Sequence, residues 1–144
     1  MTDIEKNLVK IDLCGRLPYN VKVHAKYTDI GETIELDGIV KMIDDDGVVG
    51  IEVINDFSSA WTYAQIDNIK PYLFPLSSMT ERQCYELSSI RSSFQDCWKY
   101  IKTPIPLSIC NFEQIEWFHK NHFDYRGLIE KSLALDATNL GIYE

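Results

Sequence analysis

The stretch IELDGIVKMIDDDGVVGIEVI, residues 34–54, decides the fold. Its first part alternates in hydropathy from Ile34 to Met42, which is the period of two expected of a half-buried strand. The acidic run Asp44, Asp45 and Asp46 with Gly47 then follows. An Asp-Gly step between two β-rich runs is typical of a hairpin, because the turn needs a positive φ angle. Residues 48–54 are therefore the predicted returning strand.

Two further segments flank this hairpin. In VKVHAKY, residues 21–27, apolar side chains alternate with Lys22, His24 and Lys26, which predicts another half-buried strand with a basic outer face. A weaker strand is predicted over residues 61–65. Four short strands joined by tight turns predict a four-stranded antiparallel meander or a small SH3-like barrel.

A helix is predicted before the strands. Thr2 and Glu5 fit a capping box, in which each side chain bonds a backbone N–H of the first turn. Apolar residues at helical spacing extend the prediction over residues 3–14. Gly15 is expected to end this helix as a left-handed cap.

The segment KPYLFPLSSMTERQ, residues 70–83, is the predicted boundary between two lobes. Pro71 and Pro75 are expected to bar regular structure there. Residues 78–81 fit a second capping box, which would open a helix with an apolar stripe from Leu87 to Ile101.

Two more helices are predicted near the C-terminus. Asn111, followed by Gln114 three positions later, fits a third capping box, and His122 is expected on the apolar face of that helix. Asp124 suits the N-cap of a fourth helix over residues 125–135.

The predicted fold class is therefore α+β. It has an N-terminal helix, the meander or small barrel, and a helical C-terminal part, in a single domain over residues 1–144. The predicted lobes are 1–74, with the helix and the β meander, and 75–144, which is helical.

Composition limits the classes of function. The chain of 144 residues carries 14 lysines and arginines against 22 acids, for a net charge of −8, which disfavours nucleic acid and anionic membranes as partners. An acidic N-terminus and the lack of a long apolar run predict a cytoplasmic protein without a membrane span. The four cysteines form no C-x-x-C pair and are interpreted as reduced thiols.

A metal site is one hypothesis for the dense polar stretch WFHKNHFDYR, residues 117–126. His119 and His122 are three residues apart, and Cys110 and Asp124 are near enough in sequence to join them. Their spacing, however, matches none of the usual zinc patterns. No catalytic residue, cofactor or metal is therefore predicted, and these four residues stay weak metal candidates.

Anion binding by Tyr125 and Arg126, beside Gly127, is a second hypothesis for this stretch. An aspartate at position 124 would already occupy the backbone amides of a following helix. The favoured interpretation is thus a joint between two helices.

A nucleic-acid-associated regulator is the alternative function, with residues 125–135 as the second helix of a helix-turn-helix. The exposed positions of that helix carry too little positive charge to hold phosphates. The acids of the β segment suggest a surface that competes for a basic, DNA-binding host protein, but the favoured interpretation is that charged turns and edges keep the strands from pairing with other chains. The candidates for an interaction site are Trp61, Tyr63, Asp44, Asp45, Asp46, Tyr125 and Arg126.

Three blocks of the sequence carry a resemblance. LPYNVK (residues 17–22), KPYLFPLSSMTERQ (70–83) and NHFDYRGLIEKSLALDAT (121–138) resemble, in this order, a group of uncharacterised proteins encoded by phages and prophages of gut bacteria. The resemblance implies a mobile-element origin and a cytoplasmic location in a bacterial host, and it transfers no activity. Together with the charge and the lack of catalytic motifs, it predicts a non-enzymatic protein-interaction module that acts on a host or phage protein. A metal-dependent enzyme around His119 and His122 is the third hypothesis.

Overall fold

The structure, a computed structural model, describes residues 1–54, 60–90 and 111–144. These residues form an α+β fold, as predicted, with helices packed on a mixed sheet. The elements in chain order are α1 (Asp3–Arg16), β1 (Lys22–Asp29), β2 (Glu32–Ile43), β3 (Val48–Val53), β4 (Trp61–Gln65), β5 (Ile69–Pro75), α2 (Glu81–Ile90), α3 (Phe112–Lys120), β6 (Phe123–Asp124) and β7 (Leu135–Asp136).

Strands β1 to β4 form the predicted antiparallel meander. The turn between β2 and β3 is the predicted Asp-Gly hairpin, with Gly47 at a φ of 81°. Asp44 closes this turn, because its Oδ1 accepts the backbone N–H of Val48 at 2.8 Å. The strand order is β4-β3-β2-β1-β5-β6, with β7 also paired to β5. Within the described residues the sheet is open, so the alternative of a closed SH3-like barrel is not what forms.

Helix α1 begins as predicted and ends later. The capping box between Thr2 and Glu5 is present, which confirms the predicted start. Gly15, however, is not a left-handed cap but lies inside the helix, which continues to Arg16. The physical reason is that Arg16 is fully buried and its side chain bonds back to Asp12, one turn earlier. This ion pair stabilises the last turn that a glycine cap would have removed.

The prediction that Pro71 and Pro75 bar regular structure is wrong. Both lie in β5, which pairs with β1 and is largely buried. Each proline lies where a ladder ends, Pro71 at the last pair with β1 and Pro75 at the last residue of the strand. A proline is compatible with a sheet at such positions, because the N–H that it lacks would contribute little to the hydrogen bonds of the ladder.

The N-cap of helix α2 lies two residues after the predicted one. Thr80 and Gln83 form the box, since the Thr80 hydroxyl accepts the Gln83 N–H at 3.2 Å and Gln83 Oε1 accepts the Thr80 N–H at 2.8 Å. The predicted box over residues 78–81 is therefore wrong by two positions. Beyond Ile90, the predicted stripe to Ile101 lies outside the described residues.

Helix α3 is confirmed, and the fourth helix is not. The capping box of Asn111 and Gln114 opens α3, which ends at Lys120. His122 lies past that end, at a φ of 61°, so it is not on the helix face as predicted. The chain then forms the short strands β6 and β7, which pair in parallel with β5.

Two local features explain why residues 125–135 are not helical. Both carboxylate oxygens of Asp124 accept backbone N–H groups, from Leu128 and Ile129, each at 2.9 Å. Gly127 and Ser132 have positive φ angles, which interrupt a right-handed helix. Asp124 does cap backbone groups, as predicted, but those of a folded turn.

The interior contains two apolar clusters. One packs α1 against the sheet and includes Val9, Leu13 and Ile51. The other packs α2 and α3 and includes Leu87 and Phe118. Because β5 runs from the first cluster to the second, the C-terminal residues return to the same sheet. The predicted division into lobes at residue 74 stays a prediction.

The helices and the cysteines bear on two further sequence predictions. Across the described part of the chain, none of the helices combines the length and hydropathy that a bilayer span requires. Cys14 and Cys84 are free thiols. Cys97 and Cys110 lie outside the described residues.

Replacement of Asp124 tests the turn that takes the place of the fourth helix. Asp124→Ala would leave two N–H groups without a partner, that of buried Leu128 and that of half-buried Ile129, so the free energy of unfolding should fall by about 2–4 kcal/mol. Asp136→Ala is the matched control, because Asp136 accepts only the exposed N–H of Thr138, and its cost should stay below about 1 kcal/mol. Urea unfolding measures both, and equal losses would contradict this role of Asp124.

Candidate functional site

The dense polar stretch, residues 117–126, lies mainly in the interior. Phe118, Phe123 and Tyr125 are buried, and so are His119 and Asp124. The stretch packs against the C-terminal turn of α1, to which α3 is adjacent. What it can do chemically therefore depends on the partners of its polar groups there.

A buried ion pair in α1 organises this region. Arg16 and Asp12 are both fully buried, and the guanidinium donates to the two carboxylate oxygens at 2.7 and 3.2 Å. Arg16 also donates to the backbone carbonyls of Phe123, at 2.7 Å, and Phe118, at 3.5 Å. Arg126 adds a second guanidinium, whose Nε is 3.1 Å from Asp12. Each of these charges is balanced by polar atoms of the protein, as a buried charge requires.

His119 and Tyr125 form the second part of the cluster. His119 Nε2 and the Tyr125 hydroxyl are 2.7 Å apart. Burial, helped by the positive charge of Arg16, lowers the pKa of His119 to about 4, so the imidazole is neutral at pH 7. Burial also raises the pKa of Tyr125. The Tyr125 ring lies 5.6 Å from the Arg16 guanidinium and 5.0 Å from that of Arg126, within cation–π range.

His122 lies apart from this pair, against the C-terminal segment. Its ring stacks on Tyr143 at 3.7 Å between centroids, and burial lowers its pKa to about 4. Its Nδ1 has no hydrogen-bond partner among the described residues. Tyr143 in turn donates to the Tyr72 carbonyl at 2.7 Å and accepts the Lys22 N–H at 3.0 Å. The stack thus ties residue 143 to β1 and β5.

The candidate metal ligands do not converge in the part of the chain that the structure describes. His119 bonds Tyr125, Asp124 holds two backbone amides, and His122 stacks on Tyr143. The described residues contain no group of three or more side chains arranged to bind a metal ion. Cys110, the fourth candidate, lies outside them.

The predicted helix joint is wrong, because no fourth helix follows. The polar side chains of the stretch instead support the packing of α1, α3 and β6. Asp12, Arg16 and Tyr143 were not among the site residues predicted from the sequence. A signal for the first two was present, since an acid and a base four residues apart share the face of α1 that buries Val9 and Leu13.

Each residue of the predicted basic stripe on β1 has a partner within the protein. His24 lies opposite Asp37, with Nδ1 and Oδ1 at 2.9 Å, and Lys26 pairs with Glu35 at 2.9 Å. Lys22 donates to the carbonyl of Ile142. A cleft of about 390 Å³ beside this strand is lined by His24, Lys26, Glu35, Asp67, Asn68, Lys70 and Leu135, so its charges are mixed.

The largest aromatic exposure in the sheet is on β4. Trp61 is 51% exposed and Tyr63 is 57% exposed, while Ala64 between Tyr63 and Gln65 is buried. Tyr63 lies opposite Gly50, which in turn lies opposite Met42 on β2. A side chain at Gly50 would collide with Met42, so the glycine allows Met42 and Tyr63 to approach each other. We call Trp61, Tyr63 and Met42, around Gly50, the β4 surface.

The acidic turn between β2 and β3 borders the β4 surface. Val48 pairs with Gln65, so residues 44–47 lie at the Gln65 end of β4. Asp45 and Asp46 are exposed, while Asp44 is half-buried and bonds its own turn. Lys10 donates to the backbone carbonyl of Asp45, which leaves the two exposed carboxylates facing solvent.

No family model, curated protein or solved structure matches this chain.

Replacement of Gly15 tests the contact between α1 and α3. A Cβ at this position would lie 2.5 Å from Cε1 of His119. Glycine to alanine inside a helix usually stabilises by up to about 1 kcal/mol. Here Gly15→Ala should instead lower the free energy of unfolding by about 1–3 kcal/mol, because the new Cβ forces the His119 ring to shift. In a His119→Ala background the same change should raise the free energy of unfolding. A rise in both backgrounds would contradict the contact between Gly15 and His119.

Buried His119 and partly buried His122 predict a pH dependence of stability. Their pKa values are about 4 in the folded chain against 6.5 for an ordinary histidine, so the unfolded chain binds more protons as pH falls below 6.5. Stability should therefore be complete above pH 6.5 and decline as pH falls towards 4. Thermal unfolding between pH 7 and 5 measures this slope. The double variant His119→Gln/His122→Gln should show a shallower slope, and an identical slope would contradict burial of the two rings.

Proposed function

We propose that this chain is a non-enzymatic protein-interaction module and that the β4 surface is its binding site. The observation that carries the proposal is the exposure of Trp61 and Tyr63 side by side on the outermost strand of the sheet. Burial of an exposed aromatic side chain on binding is favourable, and aromatic residues contribute much of the binding energy of protein interfaces. Met42 extends the same patch and is 37% exposed.

The dense polar stretch supports the proposal indirectly. An active site needs groups that can reach a substrate, with pKa values suited to proton transfer. Buried His119 is bonded to buried Tyr125, and buried Asp124 is bonded to backbone amides. These side chains have structural partners, which favours a binding module over an enzyme.

A nucleic-acid-associated regulator receives less support. The proposed recognition helix over residues 125–135 does not form, and Arg126 is engaged by Asp12. Lys22, His24 and Lys26 on β1 also have protein partners. The net charge of −8 disfavours a polyanion as the ligand.

The origin and location of the module are part of the proposal. The resemblance of residues 17–22, 70–83 and 121–138 to a phage and prophage group favours a host or phage protein as partner, in the bacterial cytoplasm. It says nothing of which protein that is. The acidic turn at residues 44–47 favours a partner with positive charge.

Capture of partners from a nuclease-treated bacterial lysate tests the proposal. The double variant Trp61→Ala/Tyr63→Ala should lose a captured protein by at least about tenfold, because aromatic hot spots are worth about 2 kcal/mol or more. The variant should remain folded, since about half of each side chain is exposed and neither belongs to the apolar clusters of the interior.

Tyr85→Ala is the matched control. Tyr85 is 77% exposed on α2, which packs on α3 rather than on β4. This variant should retain the captured protein. Equal capture by wild type and the double variant, or capture that nuclease abolishes, would contradict the proposal.

A further inference from the structure

We infer that the ligand of the β4 surface is an extended, positively charged peptide segment that joins the sheet as a new strand beside β4. This inference rests on the proposed function and names the class of partner and its mode of binding. It depends on three features of β4: the direction of its backbone groups, its exposed side chains and the charges at its ends.

The hydrogen bonds at the two ends of β4 show which of its residues face β3. Val53 donates to Ala60 at 3.0 Å, and Ile66 donates to Gly47 at 2.9 Å. In an antiparallel pair, bonded and non-bonded residues alternate along the strand. From the register between these two ends, Thr62 and Ala64 are the residues of β4 whose backbone groups form hydrogen bonds with β3.

The remaining residues of β4 direct their backbone groups away from β3. By the same alternation, the N–H and C=O groups of Trp61, Tyr63 and Gln65 point to the outer edge of the sheet. Within residues 1–54, 60–90 and 111–144, no strand pairs with that edge. Such a row of groups is a template for one more strand.

The side chains at these three positions are exposed as well. A strand that pairs with β4 would place alternate side chains next to Trp61 and Tyr63, on the same face of the sheet. The two aromatic rings would then contact the apolar stems of long side chains. A lysine or arginine there also gains a cation–π contact with the rings.

Charges near β4 favour a cationic segment. Asp45 and Asp46 are exposed at the Gln65 end, and Glu52 lies opposite Trp61 at the other end. Glu52 is paired with Lys41 at 3.4 Å, and Lys10 contacts the turn at the Asp45 carbonyl, so the net negative charge comes from the three aspartates of the turn against this one lysine. A basic residue beyond the Gln65 end of the new strand would face these two carboxylates.

The same charges disfavour a second copy of the chain as occupant. Two β4 strands related by a twofold axis would run antiparallel, with Gln65 of one copy near Trp61 of the other. Each copy would bring its own exposed Asp45 and Asp46 and a net charge of −8. Repulsion between like charges opposes such a dimer.

Gln65 offers a backbone test that leaves the side chains of the β4 surface intact. Its φ of −74° and ψ of 147° are compatible with proline, and its N–H points to the outer edge. Gln65→Pro therefore removes one donor for a new strand without breaking the ladder with β3. Gln65→Ala is the control, because it removes the side chain and keeps the donor.

The ligands for the test are peptides selected by the wild-type protein from a random heptapeptide display library. They should be rich in lysine and arginine. Gln65→Pro should weaken their binding about three- to tenfold, as expected for one hydrogen bond, whereas Gln65→Ala should bind within about twofold of wild type. Asp45→Asn/Asp46→Asn should weaken binding and reduce its dependence on salt.

The outcomes separate the two proposals. If no peptide is selected, or if Trp61→Ala/Tyr63→Ala binds the peptides as well as wild type, the inference of a peptide strand at the β4 surface is overturned, whereas the proposed function stands or falls with the lysate capture. If binding needs the two aromatic residues but is unchanged by Gln65→Pro, or if the peptides are acidic, only strand addition by a cationic segment is overturned. A stable dimer of the free chain that Gln65→Pro dissociates would likewise assign the edge to a second copy.

Discussion

The buried guanidinium of Arg16 is the constraint on which the rest of the structure depends. It contacts three separate segments: Asp12 in α1, the carbonyl of Phe118 in α3 and the carbonyl of Phe123 in β6. A charge without exposure to water needs all of these partners, and loss of one partner of such a pair typically costs about 3–5 kcal/mol. The ion pair therefore fixes where α3 ends and where the chain turns back towards β5.

The density of polar residues after Trp117 follows from this constraint. Arg126 approaches the same carboxylate as Arg16, and Tyr125 lies within reach of both guanidinium groups. His119 remains neutral beside them because it is buried and next to positive charge. A stretch that resembles an active site in composition thus serves the interior, and the binding site that we propose lies elsewhere, on β4.

Local patterns in the sequence predicted the parts of the fold that local forces determine. The period of two predicted the meander, and caps such as the one at Asn111 predicted where helices begin. Strands β6 and β7 have two residues each and pair in parallel with β5, so no periodicity marks them. Trp61 and Tyr63 were predicted as interaction candidates, but their exposure depends on which strand ends the sheet. That order arises from contacts between distant residues, which a pattern along the chain does not contain.

Residue-resolved amide hydrogen exchange of the free protein tests the account most directly, because it reports both the interior turn and the edge of the sheet. We expect slow exchange at the Leu128 N–H, which Asp124 accepts, and along β4 slow exchange at Thr62 and Ala64 with fast exchange at Tyr63. Uniformly slow exchange along β4 would contradict an edge open to a partner, and fast exchange at Leu128 would contradict the structural role of the polar stretch.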